Sequence, residues 1–119
     1  MTSSSQGIEV AVIVPVLNAA ATLEKLLDSL IIQDLPRETI EIIVVDNGST
    51  DETRAIAGRY PVKVIEERSV RSSYAARNRG IAASKAPVLA FTDGDCVAAP
   101  NWLSKGLERL RADELGLVA

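Results

Sequence analysis

The sequence predicts an α/β domain of three layers, α/β/α, built on an open, mainly parallel, twisted sheet. Three observations predict it. Short apolar, β-branched runs alternate with helix-period segments along the chain, the pattern of consecutive βα units. The first two runs are apolar at nearly every position rather than at every second one, as in strands buried on both faces. Polar and acidic residues follow directly after each run, at the strand ends where such sheets bind ligands. At 119 residues the chain holds one domain at most, expected as a flexible tail over 1–8 and a folded part over 9–119.

The elements follow in order. Glu9–Val16 is a valine-rich run and reads as the first strand. Leu23, Leu26, Leu27, Leu30 and Ile31 recur at helical spacing, so Ala20–Gln33 is an amphipathic helix, stopped by Asp34-Leu35-Pro36. Glu41–Val45 is the second strand, closed by Asp46. Ser49 and Glu52 have capping-box spacing and open a short helix that ends near Gly58. Val62–Ile65 is a weaker strand with charged residues after it, which suits a position near the sheet edge. Ser72 or Ser73 caps a helix to about Lys85. Its face of Ala75, Ala76, Ala82 and Ala83, with Gly80 between, can approach a sheet closely. Pro87–Thr92 is the fourth strand. Pro100 suits the first turn of a last helix, with Leu103, Leu107 and Leu110 inward. Gly116–Ala119 reads as the start of a fifth strand.

Composition removes several functions. Histidine is absent, and with it the commonest general base and every His-ligated zinc site. A net charge of −3 offers no basic face for nucleic acid. The single cysteine, Cys96, cannot form an internal disulfide, and it reads as a small apolar residue rather than a nucleophile. Met1–Gln6 lacks the profile of a secretion signal, and no apolar run approaches the roughly 20 residues of a membrane span. The expectation is a cytoplasmic domain, although a longer parent protein could carry membrane segments elsewhere. The turn after the first strand, Pro15-Val16-Leu17-Asn18-Ala19-Ala20, has no glycine, so neither a dinucleotide fingerprint nor a nucleotide-triphosphatase phosphate loop is present.

Three constellations carry the chemistry that remains. In Thr92-Asp93-Gly94-Asp95 two carboxylates close the fourth strand. They repel each other unless a cation or donors lie between them, and a hard divalent ion carrying a phosphate suits their oxygens. Asp-Gly is also an ordinary turn. In Asp46-Asn47-Gly48-Ser49-Thr50-Asp51 an aspartate at a strand end can accept from a base N–H or a ribose hydroxyl, or can simply make the turn. Arg71, Arg77 and Arg79 form the third group. Arg77 and Arg79, two apart, cannot share a helical face, so one points to the strand ends and the other to solvent. Trp102, beside Leu103, reads as partly buried packing.

Val14-Pro15-Val16-Leu17-Asn18, Val44-Val45-Asp46-Asn47-Gly48-Ser49-Thr50-Asp51, Ala76-Arg77-Asn78-Arg79-Gly80 and Asp93-Gly94-Asp95-Cys96, in this order and spacing, resemble the N-terminal part of a family 2 glycosyltransferase of the GT-A fold. The resemblance covers about Val10 to Ala119. It implies that Pro15, Val16, Asn18, Asp46, Asn47, Arg77, Asp93 and Gly94 bind the nucleotide, with Asp46 holding the base, usually uracil. It implies that Asp95 and Asp93 hold Mn²⁺ or Mg²⁺, with Asp95 the direct ligand. Asn47 stands where many members have a second aspartate, which argues against a metal role there. The implied partners are a nucleoside-diphosphate sugar, with a UDP-sugar favoured, and an acceptor hydroxyl of unknown kind. The implied reaction is transfer with inversion. Glu108, Asp113 and Glu114 read as a solvated helix face, so the general base is expected outside the chain and the isolated chain is expected to be poorly active. An exposed sheet edge is expected to drive self-association. Two rival readings are a sugar nucleotidyltransferase, which would want a glycine-rich basic loop after the first strand, and a non-catalytic nucleotide-binding or assembly module.

Overall fold

A computed structural model describes residues 7–114, with side chains described to residue 111. The expected fifth strand over Gly116–Ala119, the tail before Gly7 and the side chains of Asp113 and Glu114 lie outside the described residues. The elements are β1 (Val10–Val16), α1 (Leu23–Ile31), a single 3₁₀ turn (Arg37–Thr39), β2 (Ile40–Asp46), α2 (Thr53–Ala57), β3 (Lys63–Glu66), α3 (Ser73–Ala82), β4 (Val88–Phe91) and α4 (Trp102–Glu114). The four strands form one sheet in the order β3-β2-β1-β4, with every pairing parallel.

Alternation along the strands splits the core into two faces. Val10, Val12, Val14 and Val16 of β1 and Ile40, Ile42 and Val44 of β2 face one side. There they pack against Leu23, Leu26, Leu27 and Leu30 of α1, Ile56 and Ala57 of α2, and Leu103 of α4. Ala11 and Ile13 of β1 and Ile43 and Val45 of β2 face the other side, against Ala76 of α3. This is the three-layer arrangement that the continuous apolar runs predict. A Cβ on Gly80 would stand 2.5 Å from Ile13 Cγ2, so the small face of α3 lies directly on the sheet. Only Ala76 and Gly80 of that face are buried; Ala82 is exposed, because two residues past Gly80 it lies on the opposite side of the helix.

Some boundaries differ from expectation, for physical reasons. Helix α1 begins at Leu23 because Ala19–Thr22 form a hydrogen-bonded turn that joins the neighbouring loops. Ser49 is not the cap of α2. Glu52 occupies the cap position without a side-chain bond, and Asp51 Oδ1 instead accepts from Thr53 N at 2.9 Å. Ser72 is the cap of α3, with its hydroxyl accepting from Ala75 N at 3.0 Å. In α4, Leu103 and Leu107 are buried but Leu110 is 42% exposed, because among the described residues no strand lies beyond β4 to cover it. Trp102 packs against the core at partial burial. Gln33 ties α1 to α4: its Oε1 accepts from Leu103 N at 2.9 Å and its Nε2 donates to Ala99 O at 2.6 Å.

Candidate functional site

The register brings three strand ends level. Val16 pairs with Asp46, and Asp46 with Glu66. The loops after β1 and β2 then bond to each other rather than each to itself. Asn18 adopts a left-handed conformation (φ 51°), which asparagine tolerates better than most residues. Its Oδ1 accepts from Thr50 N at 2.8 Å and Asp51 N at 3.3 Å, and its own N–H donates to Ser49 Oγ at 2.8 Å. Ala19 N donates to Thr53 Oγ1 at 2.8 Å, and Ala20 N to Asp51 Oδ2 at 3.2 Å. The Asp51 carboxyl is held below its ordinary value, chiefly by the Thr53 hydroxyl; burial opposes this, and backbone N–H groups of Thr53 and Ala20 add to the lowering.

Asp46 is buried, at 1% exposure. Its Oδ2 accepts from Gly48 N at 3.2 Å and Ser49 N at 3.1 Å, and lies 3.6 Å from Arg54 Nε. Gly48 has φ 97°, a turn conformation that glycine adopts without strain. Oδ1 of Asp46 is equally buried and has no partner. Arg54 continues to Glu66 through Nη1–Oε2, and Glu66 Oε1 meets Arg68 Nε at 2.9 Å. Asn47, also buried, gives both hydrogens of Nδ2 away, to Glu67 O at 2.8 Å and Val70 O at 2.9 Å. It thereby pins the loop that carries Arg68 and Arg71. These arginines and Asn47–Thr50 line a cleft of about 300 Å³.

The loop after β4 approaches from the other side. A Cβ on Gly94 would stand 3.1 Å from both Val16 Cγ1 and Ala19 Cβ, and Thr22 Oγ1 donates to Gly94 O at 2.8 Å. Close packing on β1 is therefore what asks for a glycine at this position. Asp93, Asp95 and Cys96 are all exposed, and one ligand atom of each lies within 4.8 Å of the others. Cys96 is thus beside the carboxylates rather than packed away. Arg77 Nη2 lies 3.7 Å from Asp93 Oδ1, whereas Arg79 lines a separate cleft with Glu66 and Glu67, as expected for residues two apart on a helix. An exposed pair like Arg77–Asp93 is worth roughly 0.2–1 kcal/mol and exchanges readily. A second cleft, of about 350 Å³, runs from Leu17, Asn18 and Thr22 to Gly94 and Asp95.

The fold therefore gathers Asn18, Gly94 and Asp95 at one cleft, Arg77 with Asp93 beside it, and Asp46 and Asn47 at the adjoining strand end. Pro15 and Val16 are buried in β1 and contribute through the strand; Val16 is the surface on which Gly94 rests. Sequence reasoning passes over Arg54. The available signal is that two carboxylates at adjacent strand ends, Asp46 and Glu66, require a cation, and Arg54 lies in the crossover between them. Two exposed carboxylates with a thiol alongside form a donor set that fits a divalent ion keeping room for phosphate oxygens.

A parallel α/β sheet carrying its polar residues at one lip defines the class. Comparison with known proteins defines the family. The Glycosyl transferase family 2 profile matches residues 11–119. The chain is 39% identical over 114 residues to the glycosyltransferase AglE of Haloferax volcanii, covering 92% of this chain and 38% of that protein. It is 34% identical over 102 residues to validoxylamine A glucosyltransferase of Streptomyces hygroscopicus, covering 82% and 24%. Among solved structures, TarS 1-349 of S. aureus in complex with UDP superimposes with a TM-score of 0.79 at 28% identity, covering 90% of this chain and 32% of that one. The mannosyltransferase PcManGT of Pyrobaculum calidifontis, in complex with GDP-Man and Mn²⁺, gives 0.77 at 32% identity, covering 86% and 32%. The chain belongs to glycosyl transferase family 2 and has the GT-A fold. It spans 38% and 24% of the length of these two curated relatives. Among the described residues no helix is long and apolar enough to cross a membrane.

Proposed function

We propose that this chain is the donor-binding part of a glycosyltransferase that transfers a sugar from a nucleoside diphosphate to an acceptor hydroxyl with inversion. The observation that carries the reading is the meeting of Asp93, Asp95 and Arg77 with the β1 loop at a single lip of the sheet. Relatives of the same fold that carry UDP or GDP-Man with Mn²⁺ support it.

In this reading Asp46 accepts from the base, with a UDP-sugar favoured. Pro15, Val16, Asn18 and Asn47 shape and hold the pocket around it. Arg77 exchanges Asp93 for the diphosphate, its fork matching two phosphate oxygens. Gly94 lets the loop lie low beside the phosphates. Asp95, with Asp93, holds Mn²⁺ or Mg²⁺. When bound there, the ion supplies neutralisation of the charge that develops on the departing diphosphate. The acceptor oxygen forms a bond to the anomeric carbon as the bond from that carbon to the phosphate oxygen breaks. The acceptor proton passes to a carboxylate base. No carboxylate in the 119 residues matches a motif for that base, so the chain alone is expected to transfer sugar poorly.

Calorimetric titration with UDP, GDP and CDP, with and without Mn²⁺, tests the reading. Heat that depends on Mn²⁺ is expected with at least one of them. Asp95→Ala should weaken metal-dependent binding at least about tenfold, the scale seen for disturbed metal sites. Binding unchanged by Asp95→Ala would favour a non-catalytic module. Silence with all three nucleotides would remove the donor site.

A further inference from the structure

We infer that Thr22 is a positioning residue for the loop that carries Asp93 and Asp95, acting through the Gly94 carbonyl; this rests on the donor-site reading above. Both carboxylates are exposed, so packing does not fix them, and the course of the backbone between them decides where they stand. That backbone is anchored at its two ends. Thr92 N donates to Ile13 O at 3.3 Å, and Ala98 N donates to Ser29 Oγ at 2.9 Å. Over residues 93–97, among the described residues, one hydrogen bond ties the loop to the rest of the fold: Thr22 Oγ1 donates to Gly94 O at 2.8 Å. Two further bonds, Cys96 N to Asp93 O at 3.1 Å and the Cys96 thiol to Asp95 Oδ1 at 3.8 Å, stay within the loop. The exposed Arg77–Asp93 ion pair, at 3.7 Å, holds a side chain rather than the backbone.

Thr22 departs from the habit of its position. It stands at the cap of α1, where a threonine hydroxyl ordinarily accepts from a backbone N–H of the first turn, and here it makes no such bond. Its hydrogen is directed instead to a carbonyl 72 residues further along the chain, with Ala19 O, at 3.4 Å, the longer alternative. A local preference is given up for a contact to the residue between the two carboxylates. The consequence is geometric. A peptide unit is planar, so holding the Gly94 carbonyl fixes the plane that runs to the Asp95 Cα. Lacking a Cβ, Gly94 has the widest backbone choice in the loop. Val16 Cγ1 and Ala19 Cβ limit that choice by contact, whereas the Thr22 hydroxyl gives it a direction. Thr22, Gly94 and Asp95 line the same cleft, so the tether, the peptide it holds and the metal-holding carboxylate share one wall.

The experiment is calorimetry on the chain with Mn²⁺ and whichever of UDP, GDP and CDP binds wild type. The Mn²⁺ concentration for half-maximal nucleotide binding should rise about tenfold in Thr22→Val, which keeps the shape and removes the hydroxyl. Thr22→Ser, which keeps the hydroxyl, should restore most of the wild-type value. Amide hydrogen exchange, read without metal or nucleotide, should quicken over 94–97 in Thr22→Val and not in Thr22→Ser, with β1 unchanged in both. Neither variant removes a capping bond from α1. A thermal melt checks folding, and Thr22→Ala replaces Thr22→Val if the latter does not fold. Wild-type Mn²⁺ dependence in Thr22→Val, unchanged exchange over 94–97, or equal weakening in Thr22→Val and Thr22→Ser overturns the inference and leaves the donor site standing. No nucleotide binding by wild type overturns the donor site itself, and with it the metal role inferred for Thr22.

Discussion

Asn47 illustrates how one atom separates two residue types. Both hydrogens of its Nδ2 are committed to carbonyl oxygens, at 2.8 and 2.9 Å, in a buried position. Asn47→Asp keeps the shape and removes both donors, leaving two carbonyls facing a carboxylate. Destabilisation of about 2–3 kcal/mol is expected, read as a lower urea midpoint, with faster hydrogen exchange in the 67–70 loop. Residues of this kind mark the limit of legibility. Asp46, Asp93 and Asp95 are readable because a carboxylate after an apolar run declares a strand end. The partners of Asn47 and Arg54 are not, since both contacts require β3 to lie beside β2. Ser49 has the spacing of a cap, yet its hydroxyl accepts from Asn18 N, thirty-one residues away.

At the scale of elements, α3 and the stapled loops make opposite demands. Gly80→Ala gains about 1 kcal/mol of helix propensity but forces a Cβ to 2.5 Å from Ile13 Cγ2 and 3.2 Å from Val45 Cγ2. Overpacking of a filled interface costs about 1–3 kcal/mol, so a net loss of up to about 2 kcal/mol is expected in chemical denaturation. One bond of the staple between the β1 and β2 loops, from Ala20 N, ends on the Asp51 carboxylate. Its folded-state pKa lies below the ordinary 3.8, chiefly through the Thr53 hydroxyl, so its contribution is complete above pH 3.8 and is lost as the pH falls below that value. The difference in urea midpoint between wild type and Asp51→Asn should therefore shrink from about pH 4 downward. Helices α1 and α4 are legible from leucine spacing, and α3 from its small residues. The start of α1 is not, because the residues before Leu23 answer to a neighbouring loop.

At the scale of the whole molecule, the inner places of β1 and β2 agree with their continuous apolar runs, and the edge place of β3 agrees with its weaker one. Which strand flanks β1 on its second side does not follow, because four parallel strands can be ordered in several ways with the same burial. Among the described residues β4 carries an open edge, flanked by a groove of about 120 Å³ where Phe91 and Leu110 are each 42% exposed. Pairing of this edge with a second copy is expected. Light scattering should show mass rising with concentration, and Leu110→Glu should return a monomer. The same order bears on synthesis. Val10–Ile13 waits for Val88–Phe91, so as the polypeptide leaves the ribosome its central ribbon is zipped on one side and bare on the other until that late segment emerges. A pause in translation ahead of Val88 would lengthen the time in which the half-built sheet is open to chaperones.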